Sequence, residues 1–135
     1  MQPDHPHFAA LAALELHRFI GVEFNTASNG KAHLSFIVRA NMVTPGGSLH
    51  AGYLYTVCDL AAYVALMTLL AADEGAVTHD LHVSVMRPAQ VDERVDIRAE
   101  VVRRGRTIAF VDVRAFAGER LLASARATKS LVPIS

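Results

Sequence analysis

Cysteine occurs once in the 135 residues, at Cys58. A single thiol excludes an intramolecular disulfide framework and fits a reducing compartment. Net charge is missing too, because 13 basic and 13 acidic side chains balance. With Asp and Glu interspersed among the arginines, that balance argues against a nucleic-acid-binding stripe. No P-loop, GxGxxG fingerprint or paired CxxC is present, so those phosphate, dinucleotide and redox signatures are excluded. The start, MQPDHPHF, has neither the basic segment nor the continuous apolar core of a secretory signal. A cytoplasmic protein is the expectation. No repeat, low-complexity tract or linker interrupts the chain, and residues 1–135 read as one domain.

What the chain does hold is one helix-length apolar run. Residues Thr44 to Ala72 open with turn chemistry at Pro45, Gly46 and Gly47, then continue from Ala51 with Asp59 as the one charged side chain before Asp73. A carboxylate buried without partners costs several kcal/mol or takes up a proton, so its presence there calls for a use. The run approaches the length of a bilayer span, but Asp59 lies inside it and amphipathic strands follow. It therefore reads as the buried helix of a soluble protein, with no membrane partner. Charge is also uneven along the chain: residues 1–86 hold 3 basic and 7 acidic side chains (−4), residues 87–135 hold 10 and 6 (+4). The arginine-rich second half is consistent with a phosphate-bearing ligand.

Around this helix the pattern alternates. Phe8 to Phe19 predicts one short amphipathic helix ending near Gly21. A strand is expected from Ile20 to Thr26, then a turn at Ser28-Asn29-Gly30 and a second strand from Lys31 to Arg39, with Ala32, Leu34, Phe36 and Val38 on one face. After the helix, Ala76 to Arg87 alternates again, placing Val77, Leu81, Val83 and Val85 together. Arg94 to Arg103, Thr107 to Phe116 and Leu121 to Leu131 complete the strands. A helix apolar nearly all round must be covered on most of its surface. A curled antiparallel sheet of five to six strands wrapped around it gives an α+β domain of this size.

The helix start adds the second chemical feature. The backbone N–H groups of Ala51 and Gly52 fall in the first turn, where a helix leaves donors unpaired, and such an end stabilises an oxyanion. Asp59 is eight residues beyond Ala51, roughly 12 Å along one axis, which is too far for one carbonyl to meet both. Two copies with antiparallel helices about a two-fold axis would bring the start of one level with Asp59 of the other. A homodimer with shared active sites is therefore expected. A carboxylate facing an oxyanion hole suits hydrolysis of an activated acyl group such as a thioester, acting as general base or as nucleophile. Ser48 lacks a GxSxG elbow and reads as a turn or cap residue. His79 and His82 point to opposite faces of a strand, Asp80 and His82 read as a surface pair, and His5 and His7 fall in a flexible terminus. No metal site and no cofactor are expected.

With these residues in place, TPGGSLHAGYLYTVCDLAAYVAL resembles the core motif of the hotdog-fold acyl-CoA thioesterases, in the phenylacetate-degradation thioesterase branch. The pattern there is N-x-x-G-x-x-H-G-G followed by a helix carrying an Asp. The likeness runs on through VTHDLHVSVMRPA and the RRGR turn to ARATKS. The resemblance implies a hotdog fold and hydrolysis of acyl-CoA without metal, by a homodimer that can pair into a homotetramer. It assigns Asp59 as the catalytic carboxylate and His50 as the residue orienting the thioester carbonyl. Ala51 takes the place of the glycine whose N–H polarises that carbonyl, and Thr78 that of a hydroxyl holding the attacking water. Thr44 stands where relatives have Asn, and Arg103, Arg104 and Arg106 lie where relatives meet CoA phosphates. Tyr53, with Leu54, Tyr55 and Met67, is a candidate lining of an acyl pocket. Two other readings stay open: a non-catalytic protein that binds acyl-CoA or serves assembly, and an enoyl-CoA hydratase, for which Asp59 lacks an evident acid–base partner.

Overall fold

The computed structural model describes residues 3–134; Met1 and Gln2 of the MQPDHPHF segment, and Ser135, lie outside the described residues. Two short helices, α1 (Phe8–Ala12) and α2 (Glu15–Ile20), precede a hairpin of β1 (Glu23–Ser28) and β2 (Lys31–Ile37). A 3-10 turn at Ala40–Met42 leads to the central helix α3 (Ala51–Met67), then β3 (Glu74–Val85), β4 (Arg94–Arg104), β5 (Ile108–Ala117) and β6 (Arg120–Pro133). All strand pairs are antiparallel, in the order β1-β2-β4-β5-β6-β3. The curled sheet wraps α3, which is the hotdog arrangement.

Packing explains why α3 sits where it does. Leu54, Val57, Leu60, Val64, Leu66 and Met67 are all buried on it, and all but Leu66 join one core with Leu34, Phe36, Ile97 and Val111 of the sheet. Each such side chain contributes roughly 1.5–3 kcal/mol by leaving water, so the apolar faces fix the helix and leave Asp59 on the remaining one. The helix stops at Met67, short of the expected Ala72. Thr68 Oγ1 donates to the Ala65 carbonyl and accepts the Gly30 N–H, both at 2.7 Å, which ties the helix end to the β1–β2 turn. No helix among the described residues is long and apolar enough to cross a membrane.

Four local expectations are corrected. The single helix over Phe8–Phe19 is two, because Leu14 is extended (φ −58°, ψ 137°) and His17 Nδ1 takes the Leu11 carbonyl at 2.7 Å. That carbonyl is the one a continuous helix would offer to the Glu15 N–H. Ile20 ends α2 rather than opening a strand, since Gly21 (φ 78°) caps the helix in the left-handed region. Strand β3 carries a bulge between Thr78 and Asp80, so His79 is an extra residue and the face alternation flips across it. Val77 consequently lies exposed, whereas Leu81 and Val83 pack on the core. Finally, the segment before α1 is fixed rather than flexible: His5 is buried with Nε2 2.7 Å from the Glu74 carbonyl, and His7 Nδ1 lies 2.9 Å from Tyr63 Oη.

Candidate active site

Asp59 lies two turns into α3 and meets two neighbouring strands. Thr78 on β3 and Lys129 on β6 are cross-strand partners, so their side chains stand side by side against the helix. Thr78 Oγ1 donates to Asp59 Oδ1 at 2.7 Å, and Lys129 Nζ donates to the same oxygen at 2.7 Å. Lys129 Nζ also donates to Thr78 Oγ1 at 2.8 Å, closing a triangle. Asp59 Oδ2 has no partner among the described residues and stays open. Burial pushes the Lys129 ammonium below the ordinary lysine range, while Asp59 opposes that drift through its charge and its hydrogen bond. Burial, reinforced by Asp59, raises the Cys58 thiol to about 12, which keeps it protonated and inert.

Lys129 was missed as a site residue by sequence reasoning, although a signal existed. Ala123, Ala125 and Ala127 alternate inward along β6, and the same parity carries Lys129 into the interior. The triangle opens into a cavity of about 450 Å³, lined by Leu11, Leu14, Leu16 and His17 from the N-terminal segment together with Tyr55, Tyr63 and the polar triad. A larger open hollow of about 630 Å³ spreads over β1, β2, β4 and β5, lined by Lys31, His33, Arg98, Glu100, Asp112 and Arg114. Lys31 pairs there with Glu100, His33 with Asp96 and Asp112 with Arg126, while Arg98 and Arg114 stand opposite each other across β4 and β5, so the hollow has no counterpart of the three-way Asp59–Thr78–Lys129 contact among the described residues.

At the start of α3, His50 is the N-cap, a role considered for Ser48, which instead sits in the turn before it. His50 Nδ1 accepts the Gly52 N–H at 2.9 Å. A Cβ at position 52 would stand 2.9 Å from that nitrogen, so glycine is what lets the ring close over the helix end. This corrects the expectation of two free amides: Gly52 is committed to the cap, and Ala51 alone has no acceptor among the described residues. A groove of about 350 Å³ beside this end is lined by Asn41, His50, Gly52 and Tyr53, and shares Leu16 and Thr56 with the Asp59 cavity. Asn41 was also passed over, because nothing in its spacing points to the groove.

Tyr53 lines the groove, and the remaining candidates lie outside both the groove and the Asp59 cavity. Thr44 belongs to the turn, its N–H donating to the Ser48 carbonyl and its carbonyl accepting from Gly47. Tyr53 stacks on Phe19, centroids 6.4 Å apart, while Leu54 and Met67 are core. Arg104 is taken up by an ion pair with Glu74, and Arg103 and Arg106 are exposed near the β4–β5 turn, outside the cavity lining. His79, Asp80 and His82 are exposed, and among the described residues no three His, Cys, Asp or Glu side chains converge as metal ligands would.

This constellation can be set beside known proteins. The model of the thioesterase superfamily matches residues 46–124, spanning α3, the triad residues Asp59 and Thr78, and most of the sheet. The chain belongs to the thioesterase superfamily. Human acyl-coenzyme A thioesterase 13 is 32% identical over 128 residues, covering 91% of this chain and 89% of its own. Among solved structures, the Escherichia coli PaaI protein from the phenylacetic acid degradation operon superposes with a TM-score of 0.85 at 19% identity, covering 94% of this chain and 92% of its own. A mutant of the phenylacetic acid degradation protein PaaI from Thermus thermophilus gives 0.79 at 26%, covering 85% and 96%. The protein is thus a hotdog thioesterase of the PaaI type, a family of thioester hydrolases.

Proposed function

We propose that this protein hydrolyses an acyl-CoA thioester to the free acid and CoA, with Asp59 as general base. The observation that carries this reading is the Asp59–Thr78–Lys129 triangle beside an apolar cavity. Thr78 Oγ1 donates one hydrogen bond and accepts one, which leaves a lone pair for a water proton. A water held there lies beside the open Oδ2, which takes its second proton as the oxygen attacks the acyl carbon. The carbonyl oxygen needs a donor on its other side, and the Ala51 amide is the free one.

One helix cannot supply both groups, so the active unit in this proposal is a homodimer. Strand β3 supports it: twelve residues long, it ends the sheet order with one edge open and exposes Val77 and Val85, with exposed Met86 just beyond its end. Thr78 sits on that strand and the Asp59 carboxylate is 39% exposed beside it, so a second copy docked there completes the site. The human relative's name as an acyl-coenzyme A thioesterase, and a solved Streptococcus pneumoniae hypothetical thioesterase that holds coenzyme A, support the substrate class.

The test is release of free thiol from aromatic and aliphatic acyl-CoAs, with Asp59→Asn beside the wild type at matched folded concentration. Turnover by the wild type that falls at least about 100-fold in the variant is expected for loss of a general base. Equal turnover in both removes Asp59 from the mechanism. Binding without turnover, or a hydroxyacyl product without free CoA, replaces hydrolysis with the binding or hydratase reading.

A further inference from the structure

We infer that α1 and α2 form the wall that selects the acyl group, with Leu14 and Leu16 as its specificity-determining residues; this rests on the acyl-CoA reading of the Asp59 cavity. Leu11, Leu14 and Leu16 line that cavity together with Tyr55, Leu60, Leu81 and the polar triad. An aliphatic or aromatic acyl chain whose carbonyl lies at the triad has these leucines as its neighbours. Leu14 and Leu16 are 48% and 53% exposed, so their apolar surface is still available to a ligand. Leu16 also borders the groove at the start of α3, so in the proposed dimer it flanks both the site that uses its own Asp59 and the site to which its own helix start contributes.

A wall selects by size only if it holds its position, and this one is tied at three places. Ahead of α1, His5 and His7 bind the Glu74 carbonyl and Tyr63 Oη, fastening the segment to the two elements that carry Thr78 and Asp59. Phe8 is buried edge-to-face on Phe24, with centroids 5.2 Å apart. At the far end the Arg39 guanidinium donates to the Phe19 and Ile20 carbonyls and lies 5.4 Å over the Phe19 ring. Between these ties Leu14 interrupts the helix in an extended conformation, which sets the spacing of the two leucines.

The experiment separates wall from chemistry. Binding of non-hydrolysable S-alkyl-CoA thioethers with two, six and ten carbons is measured by calorimetry on the intact protein, alongside turnover of the matching acyl-CoAs. Leu14→Trp is expected to lower the ten-carbon to two-carbon affinity ratio about tenfold, and Leu14→Ala with Leu16→Ala to shift it by a similar factor. Leu69→Ala, at another exposed leucine (42%) near the β1–β2 turn, serves as control with the wild-type ratio. Ratios unchanged within twofold in both wall variants overturn the inference, whatever the turnover. Shifted ratios in a protein that hydrolyses none of the thioesters keep the wall and overturn the hydrolase reading instead.

Discussion

Lys129 is the buried partner of its ion pair with Asp59: the lysine side chain is 3% exposed, the aspartate 39%. This asymmetry predicts unequal variants. Asp59→Ala strands a buried ammonium and is expected to cost about 3 kcal/mol, the low end for a broken buried pair because one partner already meets water. Asp59→Asn keeps an acceptor for Lys129 and should fold nearly as well as the wild type. Lys129→Met fills the space with an apolar chain and leaves a carboxylate that water can reach, so stability changes little while the orientation of Asp59 is lost. Urea unfolding beside kcat and KM checks the pattern: a lower kcat at near-normal stability marks Lys129 as a positioning residue.

Thr78 should tolerate one change and not another. Serine keeps the hydroxyl that donates to Asp59 and accepts from Lys129, and turnover within a few-fold of wild type is expected. Valine keeps the shape and removes both bonds, leaving Lys129 one acceptor short, and a fall of about 100-fold in kcat follows. Steady-state kinetics with one acyl-CoA distinguishes them, and equal loss in both variants would assign Thr78 to packing.

Cys58 should be silent. Buried in α3, with its thiol raised to about 12, it offers no thiolate at pH 8. An aromatic disulfide reagent is expected to label it only at the rate of unfolding, and fast labelling of native protein would show that the helix opens locally.

Much of this architecture was legible in alternation. Leu34, Phe36 and Val38, and likewise Val95, Ile97 and Ala99, face the core as period two predicts. What failed were events carried by single atoms. The α1–α2 break depends on one histidine nitrogen finding one carbonyl, and the β3 bulge inserts His79 with no Gly or Pro to mark it. Asp59 stood out because an apolar helix makes a carboxylate conspicuous. Lys129 did not, because its strand ran among other basic residues and only counting parity from Ala123 shows where it points. The Gly52 amide is hidden for a similar reason: its cap is a side chain two residues back.

Glu74 links stability to acid. The Ala71 N–H first, and Arg104 second, hold its carboxyl below the usual 4.5. A folded value lower than the unfolded one means that its contribution is present above 4.5 and disappears as pH falls through the depressed value. Denaturant unfolding followed from pH 6 down to about 3 should therefore show a declining limb that Glu74→Gln flattens. An identical limb in the variant would assign the acid sensitivity elsewhere, with Glu93, held low by Arg120 and by the Gln90 N–H, next in line.

The shared-site arrangement can be tested by crossing two lesions. Ala51→Pro removes the free amide yet suits its place, since proline is favoured at the first helical position and His50 before it is already extended (φ −63°, ψ 126°). A folded Ala51→Pro protein with kcat lowered about 100- to 1000-fold is expected for loss of an oxyanion donor. Asp59→Asn and Ala51→Pro proteins are then unfolded together, refolded at equal concentration and assayed. If each site takes its amide from one protomer and its carboxylate from the other, half of the dimers are mixed and one site in each is intact, so about a quarter of wild-type activity returns. If both groups serve the same site within one chain, every site carries a lesion and nothing returns. Recovery thus reports directly on whether Asp59 works opposite the helix start of its partner.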